Sequence, residues 1–152
     1  MSVIKRFYTA FAAGDVAAMG ACYADDARFT DPAFGDLDAG QARAMWQMLL
    51  SRSRDLRITF MVLHEDERSG SCEWHAHYTF ASTGRKVHNI IRSEFALRDG
   101  LIVQQRDGFS FWRWSRQALG AVGWLLGWSP IIRGKVRRTA RAALDRHMGQ
   151  SS

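Results

Sequence analysis

The chain lacks the features that mark secreted and membrane-spanning proteins. Its 152 residues include only two cysteines, Cys22 and Cys72, too few for a disulfide framework. We therefore expect both thiols to be buried and unpaired in a reducing compartment. The N-terminus lacks the apolar core and cleavage site of a signal peptide. The apolar stretch 118–132 is shorter than the roughly 20 residues that a membrane-spanning helix needs. These absences predict a cytoplasmic protein.

Familiar metal, nucleotide and hydrolase motifs are also missing. The sequence has no Cys-x-x-Cys pair, glycine-rich phosphate loop or Ser/His/Asp order. His75, His77 and His88 suggest a metal cluster. In a strand, however, His75 and His77 lie opposite the apolar Trp74 and the neighbouring Tyr78, on the outer face of a sheet. We therefore expect a polar outer or dimer face there, with no metal and no cofactor.

Positive charge is concentrated at the C-terminal end. The net charge is +6, yet residues 113–152 carry eight basic side chains and one acidic side chain, and residues 1–112 sum to −1. The high isoelectric point is therefore due to the tail. It does not indicate which kind of ligand residues 1–112 bind.

Hydrophobic periodicity divides the chain into a helical beginning, a strand-rich middle and a tail. Two helices meet at Gly14 and Asp15, a short strand covers 27–31, and a third helix covers about 41–53. Period-two patterns then predict four strands, at 56–64, 71–81, 86–98 and 101–112. Helices followed by an antiparallel meander indicate an α+β fold. We assign one domain over 1–112, extended by a helical tail over 113–152.

Four short segments occur in a characteristic order: 11–15 (FAAGD), 23–27 (YADDA), 31–32 (DP) and 99–102 (DGLI). Over about residues 3–112 this arrangement resembles the SnoaL-like, or nuclear transport factor 2-like, superfamily, which includes ketosteroid isomerases. The resemblance implies a cone, in which a curved sheet wraps around the N-terminal helices and encloses an apolar cavity. It also implies a homodimer through the outer sheet face, where an exposed Ile90 and Ile102 would need cover.

The resemblance places the isomerase base on Asp31. The two oxyanion donors of the isomerase fall on Phe7 and on Ile91 or Arg92, with Tyr8 pointing elsewhere on its helix. Because the tyrosine and the protonated aspartate that serve as donors in the isomerase are both absent, the sequence disfavours steroid isomerase activity. Asp31 has a second interpretation, as the cap of the turn at the following proline.

Strand alternation places Asp107 on the same inward face as Val103 and Phe109. A carboxylate on an apolar face must find a partner or take up a proton. SnoaL-like enzymes often have an acid in this strand, which implies an acid/base role. The alternative is a structural ion pair with Arg106 or Arg28.

Two functions remain open for the cone. One is a cofactor-free acid/base enzyme, such as an isomerase, cyclase or epoxide hydrolase, that uses Asp31 and Asp107 on a small apolar substrate. The other is a binding module for an apolar ligand without chemistry. Both use the same candidate ligand-binding side chains, which are Tyr23, Trp46, Trp74, Tyr78, Asn89, Gln105 and Phe109.

The tail also has two interpretations. In one, Trp124 and Leu125 close the cone as a lid, with Trp124 and Trp128 mostly buried and the basic helix solvated. In the other, residues 118–148 contact an anionic membrane. The protein would then function by binding a membrane or a partner through its basic tail. The aromatic residues are clustered apart from the basic run, which disfavours nucleic acid as the partner.

Overall fold

A computed structural model describes residues 2–127 and 129–150 of the chain, so the prediction made for Trp128 concerns a residue outside the described ones. The described part contains helices and strands in the order expected of an α+β fold. They are α1 (Val3–Ala12), α2 (Val16–Ala21), β1 (Tyr23–Asp31), β2 (Gly35–Asp38), α3 (Ala39–Arg52), β3 (Arg57–Glu65), β4 (Ser69–Phe80), β5 (Arg85–Arg98), β6 (Leu101–Gly108), α4 (Phe111–Leu119), α5 (Ala121–Leu126) and α6 (Pro130–Gln150).

The strands form one curved, unclosed sheet in the order β2-β1-β6-β5-β4-β3. Neighbouring strands are antiparallel except β1 and β6, which pair in parallel and join the N-terminal half to the meander. Helices α1 and α3 lie against the concave face, where the core is almost entirely apolar. The predicted α+β cone is confirmed. Cys22 and Cys72 are buried and unpaired, as expected.

Local signals in the sequence explain where the first helices begin and end. Gly14 has a φ of 72°, which glycine adopts at little cost, and it separates α1 from α2. The Asp15 carboxylate then accepts a hydrogen bond from the Ala18 N–H and caps α2. A reciprocal pair of hydrogen bonds between Asp38 and Gln41 forms a capping box that starts α3. These caps fix the ends of the helices that line the cone.

Three predicted elements differ from the structure. The first strand begins at Tyr23 instead of residue 27, and the following loop contains the short strand β2, which the sequence analysis missed. The last strand was predicted to run to residue 112, but β6 ends at Gly108. The Ser110 hydroxyl accepts a hydrogen bond from the Arg113 N–H, so it caps α4 and turns the aromatic run into a helix.

An irregularity in the β5–β6 pairing changes which side chains face inward. Leu97 pairs with Ile102, whereas Ala96 pairs with Gln104, so β6 carries one extra residue, as in a β-bulge. Ile102 is consequently fully buried, and the expectation that it lies on an exposed outer face is wrong. The predicted inward parity resumes at Gln105.

Helix α6 packs on the body of the protein. Its Leu144 is fully buried, and Arg141 donates hydrogen bonds to the backbone carbonyls of Phe34 (3.3 Å) and Asp36 (2.8 Å). Arg137 donates to the carbonyl of Pro32 at 3.4 Å. These bonds tie the basic helix to the loop after β1, so it is more than the solvated face that the lid interpretation assumed.

Helix α5 presents apolar side chains to solvent. Trp124 is 57% exposed and Leu125 is 64% exposed, so neither closes the cone as the lid interpretation required. The carbonyl of Trp124 accepts a hydrogen bond from the Trp112 indole at 3.1 Å, which holds α5 against α4. In the described part of the chain, no helix is long and apolar enough to cross a membrane.

Candidate active site

The concave face of the sheet and the helices around it enclose a cavity of about 720 Å³, a size typical of small-molecule sites. Trp46 of α3, Trp74 of β4 and Val136 of α6 contribute to its apolar walls. Two carboxyls, Asp31 and Asp107, line the same cavity. The C-terminal helix therefore completes a site that begins with the cone.

Asp107 is 6% exposed, as its strand parity predicted. Its Oδ1 accepts hydrogen bonds from the Ser93 hydroxyl (2.5 Å) and the Gln105 amide (3.1 Å). Arg28 and Arg106 are both exposed, and among the described residues no cationic side chain forms an ion pair with Asp107. The structural ion pair that the sequence left open is therefore absent there.

Burial dominates the electrostatics of Asp107. It raises the pKa of this carboxyl from 3.8 to about 7, although the hydrogen bonds from Ser93 and Gln105 act to lower it. At neutral pH a substantial fraction of Asp107 is protonated and the rest is ionised. A group in this state can both donate and accept a proton.

One set of hydrogen bonds reaches Asp107 through Ser93, the residue directly opposite it on β5. The Ser93 oxygen accepts hydrogen bonds from the Tyr8 hydroxyl (2.8 Å) and the Trp74 indole (2.9 Å). A hydroxyl has one proton and two acceptor positions, so its proton is left for Asp107. Ser93 is consequently held in one orientation, as a donor to the carboxyl.

A second set reaches Asp107 through Gln105. The Trp46 indole, which can only donate, bonds to the Tyr23 hydroxyl at 2.9 Å. Tyr23 donates in turn to the Gln105 carbonyl oxygen at 2.5 Å, which leaves the Gln105 amide N–H for Asp107. Both sets end on Oδ1, and Oδ2 accepts no hydrogen bond from the described residues. Oδ2 is therefore the oxygen available for proton exchange with a ligand.

Asp31 is half-buried at the end of β1. Its Oδ1 accepts a hydrogen bond from the Phe34 N–H at 2.5 Å, so it caps the turn. Burial raises the pKa of Asp31 to about 6, against the lowering effects of the N–H groups of Phe34, Ala33 and Gly35 and of the charge on Arg137. The two sequence interpretations are compatible, because Asp31 caps the turn and also lines the cavity.

The two carboxyls are electrostatically coupled. The negative charge of Asp31 is one cause of the raised pKa of Asp107. Burial raises the pKa of both carboxyls, and the charge of an ionised Asp31 raises that of Asp107 further. Ionisation of Asp31 therefore favours the protonated form of Asp107.

Asn89 and Tyr78 supply other polar groups in the cavity. Asn89 is 8% exposed, and its side-chain amide makes no hydrogen bond with the described residues. Buried amides normally have partners, so this amide is available to a polar atom of a ligand. The Tyr78 hydroxyl accepts a hydrogen bond from the Trp114 indole at 2.8 Å.

The sequence-predicted residues fall into two layers. Seven of them line the cavity: Asp31, Trp46, Trp74, Tyr78, Asn89, Asp107 and Phe109. Tyr23 and Gln105 do not line it, because they lie behind Asp107 and hold it through hydrogen bonds.

Two residues of the site, Ser93 and Tyr8, were not predicted from the sequence. Ser93 has the same inward parity as Asn89, and that signal was available in the sequence. Tyr8 was expected to point away, but it is fully buried and bonded to Ser93. At the isomerase oxyanion positions, Phe7 is buried in an aromatic cluster and Ile91 lines the cavity. Neither side chain offers a hydrogen-bond donor.

Comparison with known proteins agrees with the fold seen in the structure. The family model for the SnoaL-like domain matches residues 4–105, from α1 into β6. No curated protein matches the chain.

Several solved structures are similar to this one. A putative polyketide cyclase from Silicibacter sp. TM1040 has a TM-score of 0.68 and 22% identity over 76% of this chain and 92% of its own. A protein with a ketosteroid isomerase-like fold from Catenulispora acidiphila, in complex with trimethylamine, has a TM-score of 0.65 and 13% identity over 76% and 91%. An epoxide hydrolase from M. tuberculosis has a TM-score of 0.62 and 16% identity over 82% and 92%. At these identities the similarity establishes the fold.

Proposed function

The chain belongs to the SnoaL-like family, and from that premise we propose that it is a proton-transfer enzyme acting on a small apolar substrate in its cavity. Structures with this fold include proteins named as polyketide cyclases, an isomerase and an epoxide hydrolase. All three reaction classes require an acid and a base at the substrate, so the proposal rests on the chemistry that they share.

The observation that carries the proposal is the state of Asp107. A buried carboxyl that serves only structure is usually paired with a cation, but Asp107 has only neutral donors, and both bond to Oδ1. With no cation beside it, the carboxyl keeps the pKa of about 7 that burial gives it, and Oδ2 accepts no hydrogen bond from the described residues. Raised pKa values in a cleft are typical of functional groups, and here a fixed hydrogen-bond network accompanies the shift.

Each polar residue of the cavity has a role in this proposal. Asp107, when ionised, removes a proton from a carbon next to a carbonyl of the substrate, and the C–H electron pair moves into an enolate. The free amide of Asn89 donates a hydrogen bond to the enolate oxygen. Protonated Asp107 then returns the proton to another carbon, which gives an isomer. Alternatively, the enolate carbon attacks an internal carbonyl, and the alkoxide that forms takes the proton from Asp107, which closes a ring. Asp31 remains ionised and keeps Asp107 basic.

The base can be tested without the natural substrate. In the probe 5-nitrobenzisoxazole, a base removes the proton on C3, the C–H electrons form a nitrile and the N–O bond breaks. The coloured cyanophenolate product is read by absorbance. We expect the full chain to accelerate this reaction, with a rate that rises with pH through a midpoint near 7. Asp107→Asn keeps the shape of the side chain and should lower the rate by about 10²–10⁴-fold.

The control is Glu67→Gln, which removes an exposed carboxyl from the β3–β4 turn and should leave the rate unchanged. Equal rates for wild type and Asp107→Asn would contradict the proposal.

Turnover of β,γ-unsaturated ketones or of small epoxides would then identify the reaction class.

A binding module without chemistry is the second candidate function. The apolar walls and the free amide of Asn89 favour ligand binding under either function. An apolar fluorescent probe should then bind equally well to wild type and to Asp107→Asn. Equal binding without turnover of any substrate class would support a binding module and argue against an enzyme.

A further inference from the structure

Three histidines meet on the convex face of the sheet, on the opposite side from the cavity. His77 of β4 is directly opposite His88 of β5, and His75 lies two residues along β4 on the same face. The outward orientation expected from strand parity is confirmed, since all three are partly exposed while their neighbours Trp74, Ala76 and Val87 are buried.

The three imidazoles are close enough to share one metal ion. One ring nitrogen from each lies within 4.8 Å of the other two, and His75 Nδ1 is 2.8 Å from His88 Nε2. The rings of His77 and His88 stack with centroids 4.1 Å apart. Tetrahedral zinc with bonds of about 2.0–2.1 Å separates its nitrogen ligands by about 3.4 Å. Rotation of the side chains would convert this cluster into a three-histidine site, provided that His77 and His88 also turn out of their stack so that a nitrogen lone pair of each points at the ion.

An acidic side chain stands behind the cluster. Glu73 lies on the same face of β4, and its Oε2 is 3.5 Å from His75 Nε2. Histidines that bind metals through one nitrogen usually donate the other N–H to a carboxylate or carbonyl, which fixes the ring and its tautomer. Glu73 occupies that supporting position, and its contact is independent of the contacts among the three rings.

A cleft of about 310 Å³ reaches His77 and His88. It is also lined by Asp55, Arg57 and Lys86, but the Asp55 carboxylate is already bonded to Thr79. The cleft leaves room for a fourth metal ligand from solvent. The charges of Arg57 and Lys86 favour water, hydroxide or a small anion there.

We propose that His75, His77 and His88 bind one divalent transition-metal ion, with zinc the ion that fits best, at a site separate from the cavity. Imidazole is a preferred ligand of zinc, and two imidazoles at i, i+2 on one strand with a third on its neighbour supply three of four tetrahedral positions. His75 binds through Nδ1 and His88 through Nε2. Each neutral ring then carries its proton on the nitrogen that does not bind the ion, so the His75 Nε2–H donates a hydrogen bond to Glu73. This revises the expectation of a metal-free outer face.

The test is metal titration of the full chain after chelator treatment and dialysis. We expect one Zn²⁺ per chain by calorimetry and metal analysis, with a rise in melting temperature. Co²⁺, used as a spectroscopic probe, should give the intense visible absorption of a tetrahedral site, and Zn²⁺ should displace it. His77→Gln and His88→Gln should each weaken binding more than tenfold, and Glu73→Gln by about tenfold through loss of ring positioning.

His64→Gln is the matched control, because His64 is an exposed strand histidine of the same sheet that contacts Asp66 and lies outside the cluster. It should bind zinc as the wild type does. Circular dichroism confirms that each variant is folded. Binding that survives in a His75→Gln/His88→Gln double variant, a pale octahedral Co²⁺ spectrum with wild type, or the absence of stoichiometric zinc would each overturn the site. The cobalt spectrum needs no variant, so it decides the question even if a substitution unfolds the chain.

Discussion

Replacing Asp107 with asparagine should stabilise the protein at alkaline pH. The buried carboxyl has a pKa of about 7 in the folded chain against 3.8 for the unperturbed group. The folded chain therefore holds more protons than the unfolded chain between about pH 4 and pH 7. Stability falls as the pH rises through this window and levels off above it. Asparagine carries no charge at any pH and still accepts hydrogen bonds from Ser93 and Gln105.

The magnitude follows from the same values. A shift from 3.8 to about 7 corresponds to roughly 4 kcal/mol, an upper bound because the cavity admits water beside the carboxyl. Part of this loss of stability has already occurred at about pH 5, because the carboxyl of the unfolded chain is mostly ionised there. Between about pH 5 and pH 8.5 we expect the stability of Asp107→Asn relative to wild type to increase by about 2–3 kcal/mol.

Urea unfolding at the two pH values measures this change, with Glu67→Gln as the exposed-carboxyl control. The Glu67→Gln variant provides the reference for the loss of one carboxyl from an exposed turn. A stability difference between Asp107→Asn and wild type that is the same at both pH values would refute the reasoning. It would mean that Asp107 ionises in the folded chain as easily as in the unfolded chain.

Three further predictions test the surroundings of the site. Ser93→Ala removes a hydrogen bond that favours ionised Asp107, so the pH–rate midpoint should move upward; an unchanged midpoint would contradict the network. Arg141→Met removes two of the bonds that hold α6 to residues 32–36, so dissociation of a bound apolar probe should become several-fold faster, measured by stopped-flow fluorescence; unaltered dissociation would show that these bonds do not retain the ligand. The exposed Trp124 beside a basic helix should give salt-sensitive co-sedimentation with anionic vesicles that Trp124→Ser weakens; binding that salt does not change would argue against contact with a charged membrane surface.

The fold could be predicted because its signals are local. Each signal acts on the backbone within a few residues. The structure contains the helix break at Gly14, the cap at Asp15 and the turn at Asp99 and Gly100. Both turn residues, Asp99 and Gly100, have positive φ, which suits a two-residue hairpin. Periodicity then separated helices from strands without any long-range information.

The network around Asp107 could not be predicted because it depends on the exact pairing of two strands. Counting back from the two-residue turn places Ser93 opposite Arg106, and the extra residue in β6 moves Asp107 into that position. A bulge leaves little trace in one sequence. Side-chain parity alone therefore identified Asp107 but not its partner.

The tail was misjudged for a different reason. The lid interpretation treated the basic helix as solvated, but Ala140, Ala143 and Leu144 give α6 a narrow apolar face that packs against the body. Basic side chains also act locally, since Arg137 and Arg141 bind backbone carbonyls beside Asp31. Net charge does not show which individual cations are used in this way.

The titration of Asp107 itself is the most direct test of the central claim. Carbon-13 NMR of the aspartate carboxyls, assigned with Asp107→Asn, reports this group without a substrate. We expect an apparent pKa of about 7 in wild type and a lower value in Asp31→Asn, because that variant removes the neighbouring negative charge. An Asp107 signal that titrates near 3.8, the value of an unperturbed carboxyl, would contradict its role as the proton-transfer group.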